Sequence, residues 1–157
     1  MEFTVYTEGG CSGNKRDAGC NGAWAYIALD PANTVLGRAS GLEVNTTNNR
    51  MELTAVIKAL TLLKAFGDNF FGGAKIHDCI VVSDSKYVIN NFEEYVPEWK
   101  NNGWRKSGGG SVVNIDLWKQ LCSLSPEFKS VKFKWVKGHS TSKFNQEADA
   151  LVRKLLY

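Results

Sequence analysis

The stretch Cys79–Asp84, CIVVSD, is a short apolar run, rich in β-branched residues, that ends on a carboxylate. Runs of this kind form strands buried on both faces. The segments before it set its direction. Phe3–Thr7, Ala23–Leu29 and Thr34–Ser40 read as strands, separated by the turn-rich pieces GGCSGNKRDAGCNG and DPAN. Such short links favour antiparallel neighbours. Between this group and CIVVSD lies NNRMELTAVIKALTLLKAF. There Met51, Ala55, Val56, Ala59, Leu60, Leu63 and Phe66 recur at helical spacing, with Thr47 or Asn48 available as the cap. A helix joining the strand group to CIVVSD makes Cys79–Ser83 parallel to the first strand.

Beyond it, SKYVINNFEEYV reads as a helix, Pro97 to Gly110 as irregular, and VVNIDLWKQLCSL as a further helix. VKFKWV alternates, with Val131, Phe133 and Trp135 on one face and Lys132 and Lys134 on the other, the pattern of a half-buried strand. A polar loop, KGHSTSKFN, leads to a last helix through EADALVRKLL. The order β-β-β-α-β-α-α-β-α predicts an α/β fold, a mixed sheet with helices packed on it. With 157 residues, no repeat and no long linker, one domain over 1–157 is expected.

Composition narrows the functional classes. Hydrophobic residues make up 43% of the chain, but no apolar run approaches the length needed to span a bilayer, so no membrane attachment is expected. MEFTVYTEGG carries no basic segment followed by an apolar one, so a cytoplasmic protein is expected. Cys11, Cys20, Cys79 and Cys122 form no C-x-x-C pair and no zinc-ligand spacing, and free thiols are the expectation. A net charge of +3 permits a polyanionic partner without requiring one.

Glu8 closes the first strand segment, and Asp84 closes the Cys79–Ser83 strand. In parallel neighbours both emerge at the carboxyl edge of the sheet, where open α/β sheets place ligands. Glu52 sits in the first turns of the long helix, and Asp149 near the start of the last one. Four carboxylates can therefore converge. Such groups repel unless protons or cations neutralise them, and a set of oxygen ligands suits magnesium or manganese. Two such ions can clamp the attacking and leaving oxygens of a phosphoryl displacement. Taken singly, each has a plainer role: Glu52 favouring the helix dipole, Asp84 a cap, Asp149 a solvated helix residue, Glu8 a turn carboxylate. Their joint placement favours the metal centre. A dinucleotide site is excluded because GGCSGN leads into a strand, not a helix.

These residues carry a resemblance over nearly the whole chain. YTEGGCSGN, TTNNRMEL, VVSDSKYV, WKNNGW, NIDLW, KWVKGH and NQEADALV stand in the order and spacing of ribonuclease H, type 1, which the sequence resembles. TNNRMEL and WVKGH are its most specific motifs. The resemblance implies a ribonuclease H-like fold: a five-stranded mixed sheet, three antiparallel strands then two parallel, with helices on both faces. It implies an endonuclease that hydrolyses the RNA strand of RNA–DNA hybrids by a two-metal-ion mechanism, leaving 5′-phosphate and 3′-hydroxyl ends, and acting as a monomer. It makes Glu8, Glu52, Asp84 and Asp149 ligands of two Mg2+ ions, for which Mn2+ can substitute. It makes His139 the loop residue that assists proton transfer or product release.

Side-chain amides both donate and accept hydrogen bonds, as the ribose 2′-hydroxyl does. The resemblance accordingly lines Asn14, Asn48 and Asn49 along the RNA strand, while turn and cap roles for Asn14 and Asn48 stay open. Thr47 and Arg50 lie near a helix N-terminus that favours phosphate. Trp99 and Trp104, beside Lys100, Arg105 and Lys106, can line the DNA strand or cover the sheet. Lys137 and Lys143 flank His139.

Four departures stand out. The family's first carboxylate is usually aspartate, bridging both metals; here it is Glu8, followed by Gly9 and Gly10, which leave the adjoining backbone free to adjust. Gln146 and Lys86 replace a usual glutamate and glutamine, and Glu93, Glu94 and Glu98 offset the basic protrusion. A catalytically weakened hybrid-binding module is the alternative that Glu8 raises. The family motifs argue against a DNA-strand transferase of similar architecture.

Overall fold

The computed structural model describes residues 1–15, 19–106, 108–138 and 142–157, with 13–15 described by backbone alone. Among the described residues, five strands form one mixed sheet: β1 (Glu2–Lys15), β2 (Gly19–Leu29), β3 (Val35–Thr46), β4 (Asp78–Ser83) and β5 (Ser130–Trp135). Their order is β3-β2-β1-β4-β5. β1–β2 and β2–β3 are antiparallel; β1–β4 and β4–β5 are parallel. The mixed sheet expected from the element order is the one observed.

Helix α1 (Asn48–Phe70) packs on one face, where Phe3, Val5, Tyr26 and Ala28 meet Leu53, Val56 and Leu60. Helix α5 (Lys143–Leu156) covers the other, with Val152 against Ala23 and Ala25, and Ala148 against Ile27 and Leu29. β2 is thus buried on both faces, which is why its Ala23–Leu29 stretch reads as continuously apolar. Between β4 and β5 run α2 (Lys86–Asn90), a π-helical turn (Asn91–Tyr95), α3 (Val96–Asn101) and α4 (Ile115–Leu124). Trp118 of α4 is fully buried.

Four expectations are corrected. First, β1 does not end at Glu8. It runs on to Lys15, because the glycine-rich segment continues to pair with β2. Only its pairing with β4 stops early, at Tyr6 opposite Val82. Second, helix continues past Pro97 to Asn101. Pro97 falls in the first turn of α3, directly after a π-helical turn over Asn91–Tyr95. Third, α5 starts at Lys143 rather than Glu147, which puts Asp149 in its second turn. Fourth, Cys11 and Cys20 are not free thiols. The β1–β2 hairpin brings their Cα atoms to 5.7 Å and they are joined as a disulfide. Cys79 and Cys122 are free, as expected.

Candidate metal centre

The centre is built where the β1–β4 pairing stops. Asp84 directly follows β4, and Glu8 lies two residues beyond the last β1–β4 pair. Glu52 comes from the first turns of α1, whose Thr47 cap accepts the Arg50 backbone N–H at 3.2 Å. Gly9 sets the approach of that helix. A Cβ on Gly9 would lie 2.5 Å from both the Glu52 backbone nitrogen and the Met51 carbonyl carbon, so α1 rests directly on the β1 backbone. This overturns the expectation that Gly9 frees the chain beside Glu8. Its bare Cα serves a close contact, and the strand there is held between α1 and β2.

The three carboxylates Glu8, Glu52 and Asp84 each present an oxygen within 4.8 Å of the others. Asp149 is not part of this triangle. It lines a cavity of about 370 Å³ together with Glu8, Asp84, Lys137 and Gln146, and its Oδ2 pairs with the Arg153 Nε at 2.9 Å. A second cavity, of about 410 Å³, joins Glu8 and Asp149 to Asn48 and Cys11. Glu8, Asp84 and Asp149 thus line one cavity, and the buried Glu52 joins Glu8 and Asp84 in the triangle behind it.

Their electrostatics follow from burial first and crowding second. Burial, reinforced by the Asp84 and Asp149 charges, pushes the Glu8 carboxyl from 4.5 up to about 8, against the pull of the Gly9 N–H and Arg153. Burial, then Glu8 and Asp84, holds the Glu52 carboxyl well above the usual carboxylate range. Glu52 is 7% exposed, and among the described residues its Oε2 has no hydrogen-bond partner. A buried carboxylate oxygen without a donor, facing two more carboxylates, fits a hard divalent cation.

The other candidate residues divide into two groups. Asn48 borders the second cavity, and Asn49 is exposed at the same helix start. His139 lies outside the described residues, as does the side chain of Asn14. Arg50 does not present a free guanidinium: Asp116 takes it through two bonds, at 2.7 and 3.0 Å, and the Asn114 Oδ1 accepts a third at 3.3 Å. Trp99 stacks on Tyr95 and meets Trp118 edge-on, so it covers the core. Trp104 is half-buried beside Lys119, while Lys100, Arg105 and Lys106 are exposed.

Sequence reasoning missed the Cys11–Cys20 bond, the Arg50–Asp116 clamp and the Asp149–Arg153 pair. Only the last had a local signal, its i,i+4 spacing on a helix.

Comparison with known proteins gives the family and the fold. The RNase H family model matches residues 1–156. "Ribonuclease H" from Wolbachia sp. subsp. Drosophila simulans (strain wRi) is 42% identical over 157 residues, covering 99% of this chain and 95% of that protein. Among solved structures, LC9-RNase H1, described as a type 1 RNase H with the type 2 active-site motif, superposes with TM-score 0.78 at 27% identity. That match covers 98% of this chain and 71% of the other. LC11-RNase H1, solved in complex with an RNA/DNA hybrid, shares the fold with TM-score 0.65 at 18% identity, over 99% of both chains. No helix among the described residues is long and apolar enough to cross a membrane. The chain belongs to the RNase H family and is a nuclease, a phosphodiester hydrolase.

Proposed function

We propose that this nuclease hydrolyses the RNA strand of RNA–DNA hybrids internally, leaving 5′-phosphate and 3′-hydroxyl ends, with Glu8, Glu52, Asp84 and Asp149 holding two divalent cations. The observation that carries the reading is the Glu8–Glu52–Asp84 triangle with its unpartnered buried Glu52 oxygen. Divalent ions bound there would supply Lewis-acid activation of water and charge stabilisation on the leaving 3′-oxygen.

The protein's own part is positional. Glu8 and Asp84 fix the centre to two adjacent parallel strands, and Glu52 fixes it to a helix pressed onto Gly9. Such supports are rigid, so the reacting phosphate meets groups already in place. Asn48, at the wall of the adjoining cavity, and Asn49 meet the ribose 2′-hydroxyls in this reading. His139 moves a proton or releases product. The exposed Lys100, Arg105 and Lys106 face phosphates of the DNA strand. Mg2+ is the expected ion, and Mn2+ substitutes. The protein acts as a monomer in the cytoplasm.

The test is cleavage of end-labelled hybrid, duplex RNA and duplex DNA, with magnesium and with chelator. Cutting confined to the RNA of the hybrid, and lost with chelator, supports the reading. Equal cleavage of duplex DNA contradicts it.

A further inference from the structure

Trp135 carries an apparent contradiction. It belongs to the apolar face of an alternating strand, yet it is 46% exposed. Its ring is nonetheless anchored at two points. Its indole Nε1–H donates to the Asp84 carbonyl oxygen at 3.2 Å, and the Lys86 ammonium stands 4.9 Å over its ring centroid. Both anchors lie in the three residues that follow β4.

Asp84 sits one residue beyond the last β4–β5 pair, Ser83 opposite Trp135. The ladder's reach ends with the Val136 N–H donating to the Ser83 carbonyl at 3.0 Å. The backbone that aims the Asp84 carboxylate is therefore outside the regular sheet, and the indole extends the sheet's hold by one residue. The segment after Trp135 also backs the carboxylate. Gly138 lies so close that a Cβ there would stand 3.5 Å from Asp84 Oδ2.

We infer that Trp135 is a positioning residue for the metal centre: its indole N–H fixes the Asp84 main chain so that the carboxylate meets the cation, and Lys86 holds the ring in that orientation. The inference rests on the reading of Asp84 as a metal ligand. It assigns the exposed tryptophan a role in cation affinity rather than in core packing or hybrid contact.

Trp135→Phe tests this, because it keeps a ring for Lys86 and removes the N–H. Magnesium and manganese are titrated into nucleic-acid-free protein, followed by calorimetry and by the rise in melting temperature. The expected result is a roughly three- to tenfold loss of cation affinity, the worth of one hydrogen bond. The metal-free melting temperature and the KM for hybrid should stay near wild type. Lys86→Gln should shift affinity the same way by less. Unchanged cation affinity in Trp135→Phe overturns the inference, and so does a fall in metal-free stability that accounts for the whole change. Asp84→Asn separates the two levels. If it binds cations as wild type does, the ligand reading itself fails; if it loses them while Trp135→Phe does not, only the role of Trp135 fails.

Discussion

The edge where the β1–β4 pairing stops and the segment from Trp99 to Lys106 differ in what holds their side chains. At the edge, Glu8 is carried by β1 paired to β2, Asp84 directly follows β4, and Glu52 comes from a helix seated on Gly9. In the tryptophan segment, Trp99 is turned onto Tyr95 and Trp118, while Lys100 at the end of α3 and Arg105 and Lys106 beyond it are exposed to solvent. The first region is fixed by register and close packing. The second offers charge with little geometric constraint. Chemistry that depends on sub-ångström placement belongs to the first; sequence-independent attraction to phosphate needs only the second.

The sharpest break in this comparison comes from Asp84→Asn, which keeps shape and removes a charge. Single-turnover cleavage should fall on the order of 10³-fold. Metal-free stability should rise, because one of the charges acting on Glu8 and Glu52 is gone. Near-normal turnover would return Asp84 to a structural cap. His139→Ala should slow turnover by about 10²-fold, at the low end for a proton-transfer group, with hybrid affinity little changed. Loss of binding with unchanged turnover would move His139 to the second region's kind of role.

Glu8→Asp probes the rigidity of the edge. Gly9 pins the strand against α1, so the backbone cannot withdraw to absorb the extra methylene. Aspartate should therefore raise magnesium-dependent cleavage by up to about 10²-fold, while manganese partly rescues the glutamate form. A slower aspartate form in both metals would show a centre built around glutamate. In the tryptophan segment, Lys106→Ala should weaken hybrid binding only severalfold and reduce its salt slope by about 1, without changing single-turnover rate. A rate effect as large as that of His139→Ala would erase the distinction between the two regions.

Acidity gives a further contrast, confined to the edge. Glu8 has its folded carboxyl raised from 4.5 to about 8, so protonation accompanies folding. That stability is complete below the unfolded value and is lost as pH rises toward 8. Metal-free protein should melt at a lower temperature at pH 8.5 than at pH 5.5, and magnesium should restore it at the higher pH. A melting temperature that rises with pH without metal would mean that the carboxylates are not crowded.

What the sequence disclosed follows the same division. Periodicity exposed α1 and β4, and with them the edge that gathers Glu8, Glu52 and Asp84, because period and direction are local properties. It failed over Gly9–Lys15, where a glycine-rich stretch reads as a turn. That stretch is strand because it goes on pairing with β2, with Gly9 leaving room for α1 against it. The Arg50–Asp116 clamp spans 66 positions, and the Cys11–Cys20 bond depends on a hairpin longer than its sequence suggests. Neither leaves a trace in local spacing. Trp99 and Trp104 had two open readings, and only tertiary packing decides that Trp99 covers Trp118.

The central claim is that the three-carboxylate triangle holds the cations. Anomalous diffraction from crystals soaked in manganese addresses it directly. The account predicts a manganese peak ligated by Glu8, Glu52 and Asp84, with any second peak on the Asp149 side of Glu8. Manganese bound elsewhere, with the triangle empty at saturating concentration, would contradict it.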